Sequence, residues 1–284
     1  MEEVLAKSFI EWIREDCPYW DITTEALVPQ GITVEAEVQA RSEGVVACTS
    51  DIARILRSLG FSVRDVKPDG SRVKPGDCVM VIRGDARKLL LVERTMLNLL
   101  MYCSGIATAT RRIVEMARKQ GSKTKIAATR KTAPGLRYFA KRAVIAGSGD
   151  PHRLGLSDMV LIKDNHVKIV GSVGEAVRKA RAVVGFSKKI EVEVNSVEEA
   201  VEAAEAGADI VMLDNFKPES VARAIAELEK RGLRDKILVE VSGGITPDNI
   251  EKYLELGVDI ISLGWITHSA PAIDLSLEIV EVIR

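Results

Sequence analysis

The sequence predicts an α/β protein in two parts, an α+β region over roughly the first hundred residues and a parallel α/β barrel after it. Three observations carry that prediction. Short apolar segments recur at Ile126, Met159, Ile190, Ile210, Ile237 and Ile260, separated by 33, 31, 20, 27 and 23 residues, with helical patterns between them. Strands and helices alternating at that spacing build a parallel sheet. One unit also occurs nearly twice: Gly207-Ala208-Asp209-Ile210-Val211 and Gly257-Val258-Asp259-Ile260-Ile261 each end a helix on Gly and enter a buried strand through Asp. Before Gln120 that rhythm is missing, and strands and helices mix irregularly, as in an α+β domain. Six units in about 145 residues suit a barrel, whole or incomplete, better than a doubly wound sheet. No G-x-G-x-x-G follows a strand, so a dinucleotide fold loses support.

Taken in order, Val4 to Glu15 predicts a helix with Leu5, Phe9, Trp12 and Ile13 on one face. Asp21-Ile22-Thr23-Thr24 predicts a polar turn. From Thr33 to Cys48, Val34, Ala36 and Val38 alternate with Glu35, Glu37 and Gln39, the pattern of a half-buried strand, and Val45-Val46-Ala47 extends it past Gly44. Asp51 to Leu59 predicts a helix. Val73-Lys74-Pro75-Gly76-Asp77 is a turn ahead of a strand, Val79 to Ile82. A long helical passage runs from about Asp85 towards Gln120, weakened at Ser104-Gly105, and carries Arg94 beside Leu91, Leu97 and Leu100. In the barrel region, Ser196 to Ala206 and Pro218 to Arg231 have helical spacing.

With 284 residues, 46% apolar and 4% aromatic, the chain can bury a sizeable core in one large or two ordinary domains. Met1-Glu2-Glu3 is acidic where a signal peptide is basic. The most apolar passage, Leu89 to Tyr102, is interrupted by Glu93 and Arg94. A soluble cytoplasmic protein is expected. The four cysteines, Cys17, Cys48, Cys78 and Cys103, contain no C-x-x-C pair and indicate neither a zinc site nor a disulfide framework. They are expected to be small buried apolar residues.

Charge points to the ligand. Between Arg118 and Lys168 twelve Lys and Arg face three acids, Asp150, Asp158 and Asp164, a local charge of 12 − 3 = +9 in a chain of net charge −1. Lys141 and Arg142 fit a solvated helix face. Arg130, Lys131, Arg153 and Lys163 instead sit where apolar runs end or Gly-rich turns begin, over the end of a sheet, and such a cluster calls for an anion. Barrel chemistry sits at the C-terminal strand ends. Those ends are Thr129-Arg130-Lys131, Lys163-Asp164-Asn165-His166, Glu193, Asp214-Asn215, Ser242-Gly243-Gly244 and Gly264, with His268 just beyond. Glu191 and Glu193 share a face of an apolar strand, where a carboxylate needs a cation, a metal or hydroxyl groups. Asp214-Asn215 fits either a helix N-cap or a functional pair. Ser242-Gly243-Gly244 and Gly264 follow the last two strands, where backbone N–H groups commonly hold a phosphate. The three histidines, His152, His166 and His268, lie 14 and 102 residues apart, poor zinc spacing. His152, beside Arg153, suits a donor to an anion.

T-R-K-T-x-P-G-L-R, H-R-L-G-L-S-D, L-I-K-D-N-H, E-V-E-V, L-D-N-F, S-G-G-I and G-x-x-T-H-S, with E-R-T-M-L-N-L at Glu93 to Leu99, occur in that order over almost the whole chain. Together they resemble the quinolinate phosphoribosyltransferases, enzymes that make nicotinate mononucleotide for NAD. The resemblance implies an N-terminal α/β sandwich, 1–108, joined by the last helix, 270–284, and an incomplete α/β barrel, 109–269. It implies transfer of a phosphoribosyl group to quinolinate with loss of CO₂. In it Glu193 and Asp214 stabilise the reacting sugar and hold Mg²⁺, while Arg130, His152, Arg153 and Lys163 grip the quinolinate carboxylates. Lys131 faces pyrophosphate, with Thr129, Ser242, Gly243, Gly244, Gly264 and His268 in the substrate site. It also implies a homodimer in which Arg94 completes the partner's site. The chain departs from the family pattern R-x-G-G-G-x-N-H-R at Ile145, Ser148 and Pro151, and keeps its His-Arg pair. Competing readings are a Schiff-base aldolase using Lys131 or Lys163, an anion or nucleic-acid binder, and a related transferase with another acceptor.

Overall fold

The structure, a computed structural model, describes residues 2–283. The chain divides into two compact units. One runs through Arg111 and takes in Ile145–Ser148 and the segment from Ala270; the other comprises Arg112–Val144 and Gly149–Ser269. The first begins with α1 (Glu2–Asp16), which buries Phe9 and Ile13 as its spacing predicts. The expected turn at Asp21 is instead a helix start. The Asp21 carboxylate accepts from the N–H groups of Thr23 and Thr24 at 3.0 and 3.1 Å, capping α2 (Ile22–Leu27). The alternating stretch forms β1 (Thr33–Ala40), burying every second residue. Its expected continuation is broken: β2 (Gly44–Val45) is a separate piece, followed by α3 (Thr49–Ser58), β3 (Ser62–Arg64), β4 (Arg72–Val73) and β5 (Cys78–Asp85). β2 pairs with β4, while β5 lies between β1 and β3 in an antiparallel sheet.

Next comes α4 (Ala86–Lys119), a single helix of 34 residues with no break at Ser104-Gly105. A Cβ at Gly105 would lie 2.3 Å from the carbonyl oxygen of Pro271, so glycine is there for close approach and not as a hinge. This helix is long and apolar enough to cross a membrane, but Leu89, Met96, Leu97, Leu100, Cys103 and Ile106 are buried in the protein. Of the cysteines, Cys48 and Cys103 are buried as expected, whereas Cys17 and Cys78 are half-buried. The division falls within α4, at 111/112 where the sequence suggested 108/109, and Ile145–Ser148 joins the first unit. There the Arg111 guanidinium donates to the carbonyls of Ala146 and Gly147 at 3.0 and 3.2 Å.

The second unit alternates strand and helix. Its strands are β6 (Lys125–Ala128), β7 (Val160–Ile162), β8 (Ile190–Val194), β9 (Ile210–Asp214), β10 (Leu238–Ser242) and β11 (Ile260–Leu263). Between and after them lie α5 (Arg137–Ala146), α6 (Asp164–Val170), α7 (Val173–Val183), α8 (Val197–Glu205), α9 (Pro218–Lys230), α10 (Glu251–Leu254) and α11 (Trp265–His268). The strands form one parallel sheet in the order β6-β11-β10-β9-β8-β7, an incomplete barrel with no ladder between β6 and β7. At the free edge of β6, Asp150 makes an isolated bridge: its N–H reaches the Ile126 carbonyl at 2.8 Å and its carbonyl accepts from Ala128 at 2.9 Å. The doubled Gly-x-Asp unit works the same way twice. Gly207 and Gly257 take positive φ, 91° and 71°. The carboxylates of Asp209 and Asp259 each accept from the N–H of Ile190 or Val239 at 2.7 Å and pair with Arg181 or Arg234. Lys141 does not lie on a solvated face: it is 1% exposed, and Arg142 is half-buried.

The segment that was expected to close the first unit as a helix is a strand, β12 (Leu275–Ile283). It pairs antiparallel with β1 from Ala40↔Leu275 to Thr33↔Ile283, giving the sheet order β12-β1-β5-β3. The sequence Leu-Ser-Leu-Glu-Ile-Val-Glu-Val-Ile is rich in β-branched residues and alternates at first, and a bulge between Glu35 and Ala36 shifts its register part-way.

Candidate active site

The strand period of two puts two kinds of side chain on the two faces of the barrel sheet. One face carries Val192 and Val194, Val211 and Leu213, Val239 and Val241, Ile261 and Leu263, all buried apolar residues. The other carries Leu161, Glu191, Glu193, Met212, Asp214, Glu240, Ser242 and Ser262. A carboxylate or hydroxyl on nearly every strand is costly in a core and calls for partners. At the C-terminal strand ends this polar face opens into a cleft of ≈ 450 Å³. Thr129, Arg130, Lys131, His152, Arg153, Lys163, Glu193, Asp214, Ser242, Gly243 and Gly244 all line it. A second cavity, ≈ 720 Å³, lies at the opposite, N-terminal strand ends. It is larger and also has a charged lining, Lys123, Lys125, Asp150, Lys189, Glu255 and Asp259, but it lies at the end of a barrel that serves stability.

Each cleft residue is held by its neighbours. After β6, the Lys131 N–H donates to Thr129 Oγ1 at 3.1 Å and the Lys131 carbonyl accepts from Thr267 Oγ1 at 2.7 Å. Gly264 lies just behind: a Cβ there would stand 2.9 Å from the Lys131 side chain and 3.0 Å from the His268 ring. Gly264 and His268 therefore adjoin the cleft through Lys131. Lys163 ends the β7 strand, and its ammonium donates to the Glu193 carboxylate. Its N–H reaches His166 Nδ1 at 2.9 Å, so His166 caps α6 and is not part of the cleft. Asp214 and Asn215 do not cap α9, whose N-cap is Lys217. Asn215 takes φ 56°, donates its side-chain amide to Asp214 at 2.7 Å and its N–H to the Ser242 carbonyl at 2.9 Å. Gly243, at φ 89°, faces it so closely that a Cβ would lie 2.3 Å from the Asn215 side-chain oxygen. Successive positive-φ glycines, Gly243 and Gly244, make the concave turn that anions occupy.

Under the floor lies a cluster that the sequence reading only half found. Glu191 and Glu240 are both fully buried, and His152 Nε2 stands 3.2 Å from Glu240 and 3.4 Å from Glu191. The longer contact does not make a hydrogen bond, and both Glu191 oxygens lack a hydrogen-bond partner. Burial first, then Glu240, pushes the Glu191 carboxyl up to about 9, against the pull of Arg153 and Lys163. The His152 ring, expected to face an anion, thus presents Nε2 to these acids. The ligating atoms of the three lie within 4.8 Å of one another. Glu240 shares with Glu191 the signal that finds it, one acid inside an apolar strand.

Cations gather above. Arg153 is 8% exposed, and burial together with Arg130 draws its guanidinium below the ordinary value, although Arg stays charged. The Arg130 Nε is buried without a partner, a donor aimed at something the protein does not supply. The loop after Arg153 is fastened by Asp158, whose carboxylate accepts from the N–H groups of Leu154 and Gly155; these bonds hold it below the usual carboxylate range. Arg94 is not among the residues lining the cleft; it is exposed on α4 of the first unit.

The profile for the C-terminal domain of quinolinate phosphoribosyl transferase matches residues 106–278 and that for its N-terminal domain residues 21–104. The chain belongs to the quinolinate phosphoribosyltransferase family. Its relatives include a probable nicotinate-nucleotide pyrophosphorylase (carboxylating) of Methanothermobacter thermautotrophicus, 53% identical over 95% of this chain and 96% of the relative. The nicotinate-nucleotide pyrophosphorylase (carboxylating) of Homo sapiens is 43% identical over 97% of this chain and 91% of its own. Among solved structures, NadC from Streptococcus pyogenes superposes with a TM-score of 0.89 at 36% identity, covering 100% of this chain and 98% of that one. In this quinolinate phosphoribosyltransferase-family chain, all three departures from the family loop fall around the His-Arg pair. Ser148 takes φ 69° and His152 φ 53°, so the loop turns left-handed on both sides of Pro151.

Proposed function

We propose that the protein transfers the phosphoribosyl group of phosphoribosyl pyrophosphate to the ring nitrogen of quinolinate, releasing pyrophosphate and CO₂ and giving nicotinate mononucleotide. The observation that carries this reading is the meeting, in one cleft, of Arg130, Lys131, Arg153 and Lys163 with Glu193 and Asp214. Quinolinate is a dianion, and the orphaned Arg130 Nε and the Arg153 guanidinium are suited to its carboxylates, with Lys163 beside them. Lys131 faces the pyrophosphate, and the Gly243-Gly244 turn offers backbone N–H groups to a phosphate. As the ring nitrogen attacks C1 and pyrophosphate departs, positive charge develops on the sugar, where Glu193 and Asp214 stabilise it. The carboxylate next to the cationic ring nitrogen then leaves as CO₂; its electron pair stays on that ring carbon as an ylide stabilised by the adjacent positive nitrogen, and the carbon takes a proton from water.

The donor set suits Mg²⁺: Glu193 and Asp214 offer hard oxygens in an open cleft, and this ion commonly binds through one or two carboxylates plus substrate phosphates. Held there, it would neutralise charge on the departing pyrophosphate. We further read the enzyme as a two-fold homodimer in which Arg94 enters the partner's site. Arg94 is exposed on α4, and the same unit exposes Tyr19, Trp20, Ile22 and Leu27, apolar surface of the kind subunit contacts cover. A cytoplasmic location suits its soluble substrates. Quinolinate-dependent release of pyrophosphate and CO₂ tests the reaction; its absence with both substrates and Mg²⁺ present sinks the reading.

A further inference from the structure

Lys141 is the largest charged side chain buried in the protein that the reaction does not use. It lies on α5, 1% exposed, and its ammonium donates to the carbonyl of Pro151. One turn earlier on the same helix, the Arg137 guanidinium reaches the Leu154 carbonyl at 3.4 Å and Thr132 Oγ1 at 3.3 Å. The two carbonyls bracket His152-Arg153. Two cations at i and i+4 on one helix therefore grip the backbone on either side of His152 and Arg153, the second of which faces the ring acid.

That backbone needs holding. His152 has φ 53°, a conformation costly for a residue with a side chain, and Ser148 is at φ 69°. Such conformations persist when surrounding contacts over-determine them. Here the contacts are the Asp150 carboxylate, which accepts the His152 N–H at 2.7 Å, the acids under the ring, and Lys141. A buried ammonium is an expensive way to satisfy one carbonyl. Burial draws the Lys141 ammonium down to about 8, with Arg137, Arg153 and Arg130 pushing the same way and Asp150 opposing. An apolar residue of similar length would suit the packing better, so stability alone does not account for a lysine here.

We infer that Lys141 is a positioning residue for the reaction, fixing through the Pro151 carbonyl the loop that seats His152 on its buried acids and aims Arg153 at the pyridine dicarboxylate. The inference rests on the proposed reading of that loop as the acid-binding one. Its test compares wild type with Lys141→Met for both substrates. The KM for quinolinate should rise about ten- to a hundred-fold, with the KM for phosphoribosyl pyrophosphate within about two-fold of wild type. The melting temperature should be unchanged or higher. If the Met variant fails to fold, Lys141→Gln, which keeps an uncharged donor, is judged on the same pair of KM values. An unchanged quinolinate KM in a folded variant, or an equal rise in both KM values with a lowered melting temperature, overturns the positioning role and leaves the proposed function standing. A wild-type protein with no quinolinate-dependent turnover overturns both.

Discussion

At the scale of single residues, the cleft distinguishes groups that bind from groups that act on the transition state. Arg153 presents a planar fork, and a lysine keeps its charge without that geometry. Arg153→Lys should therefore weaken quinolinate binding by roughly 1.5–3 kcal/mol, the value of a charge-assisted bond; binding as tight as wild type refutes a bidentate grip. Glu193→Gln and Asp214→Asn should lower kcat more than they raise KM, because their charge matters most when the sugar is cationic. A raised KM at unchanged kcat makes them ground-state ligands. Lys141 gives a pH signature. Its folded value, about 8, lies below the ordinary 10.5. Between the two the unfolded chain binds more protons, so wild-type stability gains as pH rises through that window and loses as pH falls through 8. The melting-temperature advantage of Lys141→Met should be largest below pH 8 and shrink towards pH 10.5. Cleft residues such as Arg130, Glu193 and Gly243 were legible because strand-end position and residue type coincide. Lys141 was not, since helix spacing does not reveal that a loop carbonyl lies over that face.

At the scale of elements, the recurrence of short apolar segments located the barrel strands closely: Ile126, Ile190, Ile210 and Ile260, at which segments were read, all fall in strands. Met159 and Ile237 lie one residue before theirs. The errors have local causes. Asp21 caps a helix so short that it resembles a turn, and β12 was assigned as a helix although its partner β1 is over two hundred residues away, a pairing no local pattern encodes. Ser104-Gly105 reads as a helix weak point, and the structure turns that reading into a prediction. Alanine ordinarily gains about 1 kcal/mol over glycine within a helix. At Gly105 it would meet the Pro271 carbonyl at 2.3 Å and the Ala272 Cα at 2.8 Å, both backbone atoms with little room to yield. Overpacking costs about 1–3 kcal/mol, so set against that gain Gly105→Ala should be net destabilising by up to roughly 2 kcal/mol. A raised thermal midpoint would show that the following segment yields.

At the scale of the whole molecule, the proposed dimer makes activity a property of two chains. Arg94→Ala and a Lys163 variant, each inactive alone, should complement when subunits exchange. Each mixed dimer gathers both defects in one site and leaves the other intact, so activity should return to roughly a quarter of wild type for random mixing. Verified exchange with no recovery places Arg94 outside its partner's site. The two-part organisation itself was legible from the change of rhythm near Gln120. That the first unit reclaims Ile145–Ser148 was not, because it depends on one arginine, Arg111, meeting two loop carbonyls. The pairing of β12 with β1 also bears on how the protein is made. A ribosome completes every barrel strand before it synthesises Leu275–Ile283, the strand that lies along the outer side of β1. During translation the earlier sheet must therefore wait with β1 as an open edge while the later unit is already whole, so the first-synthesised unit is the last able to finish folding.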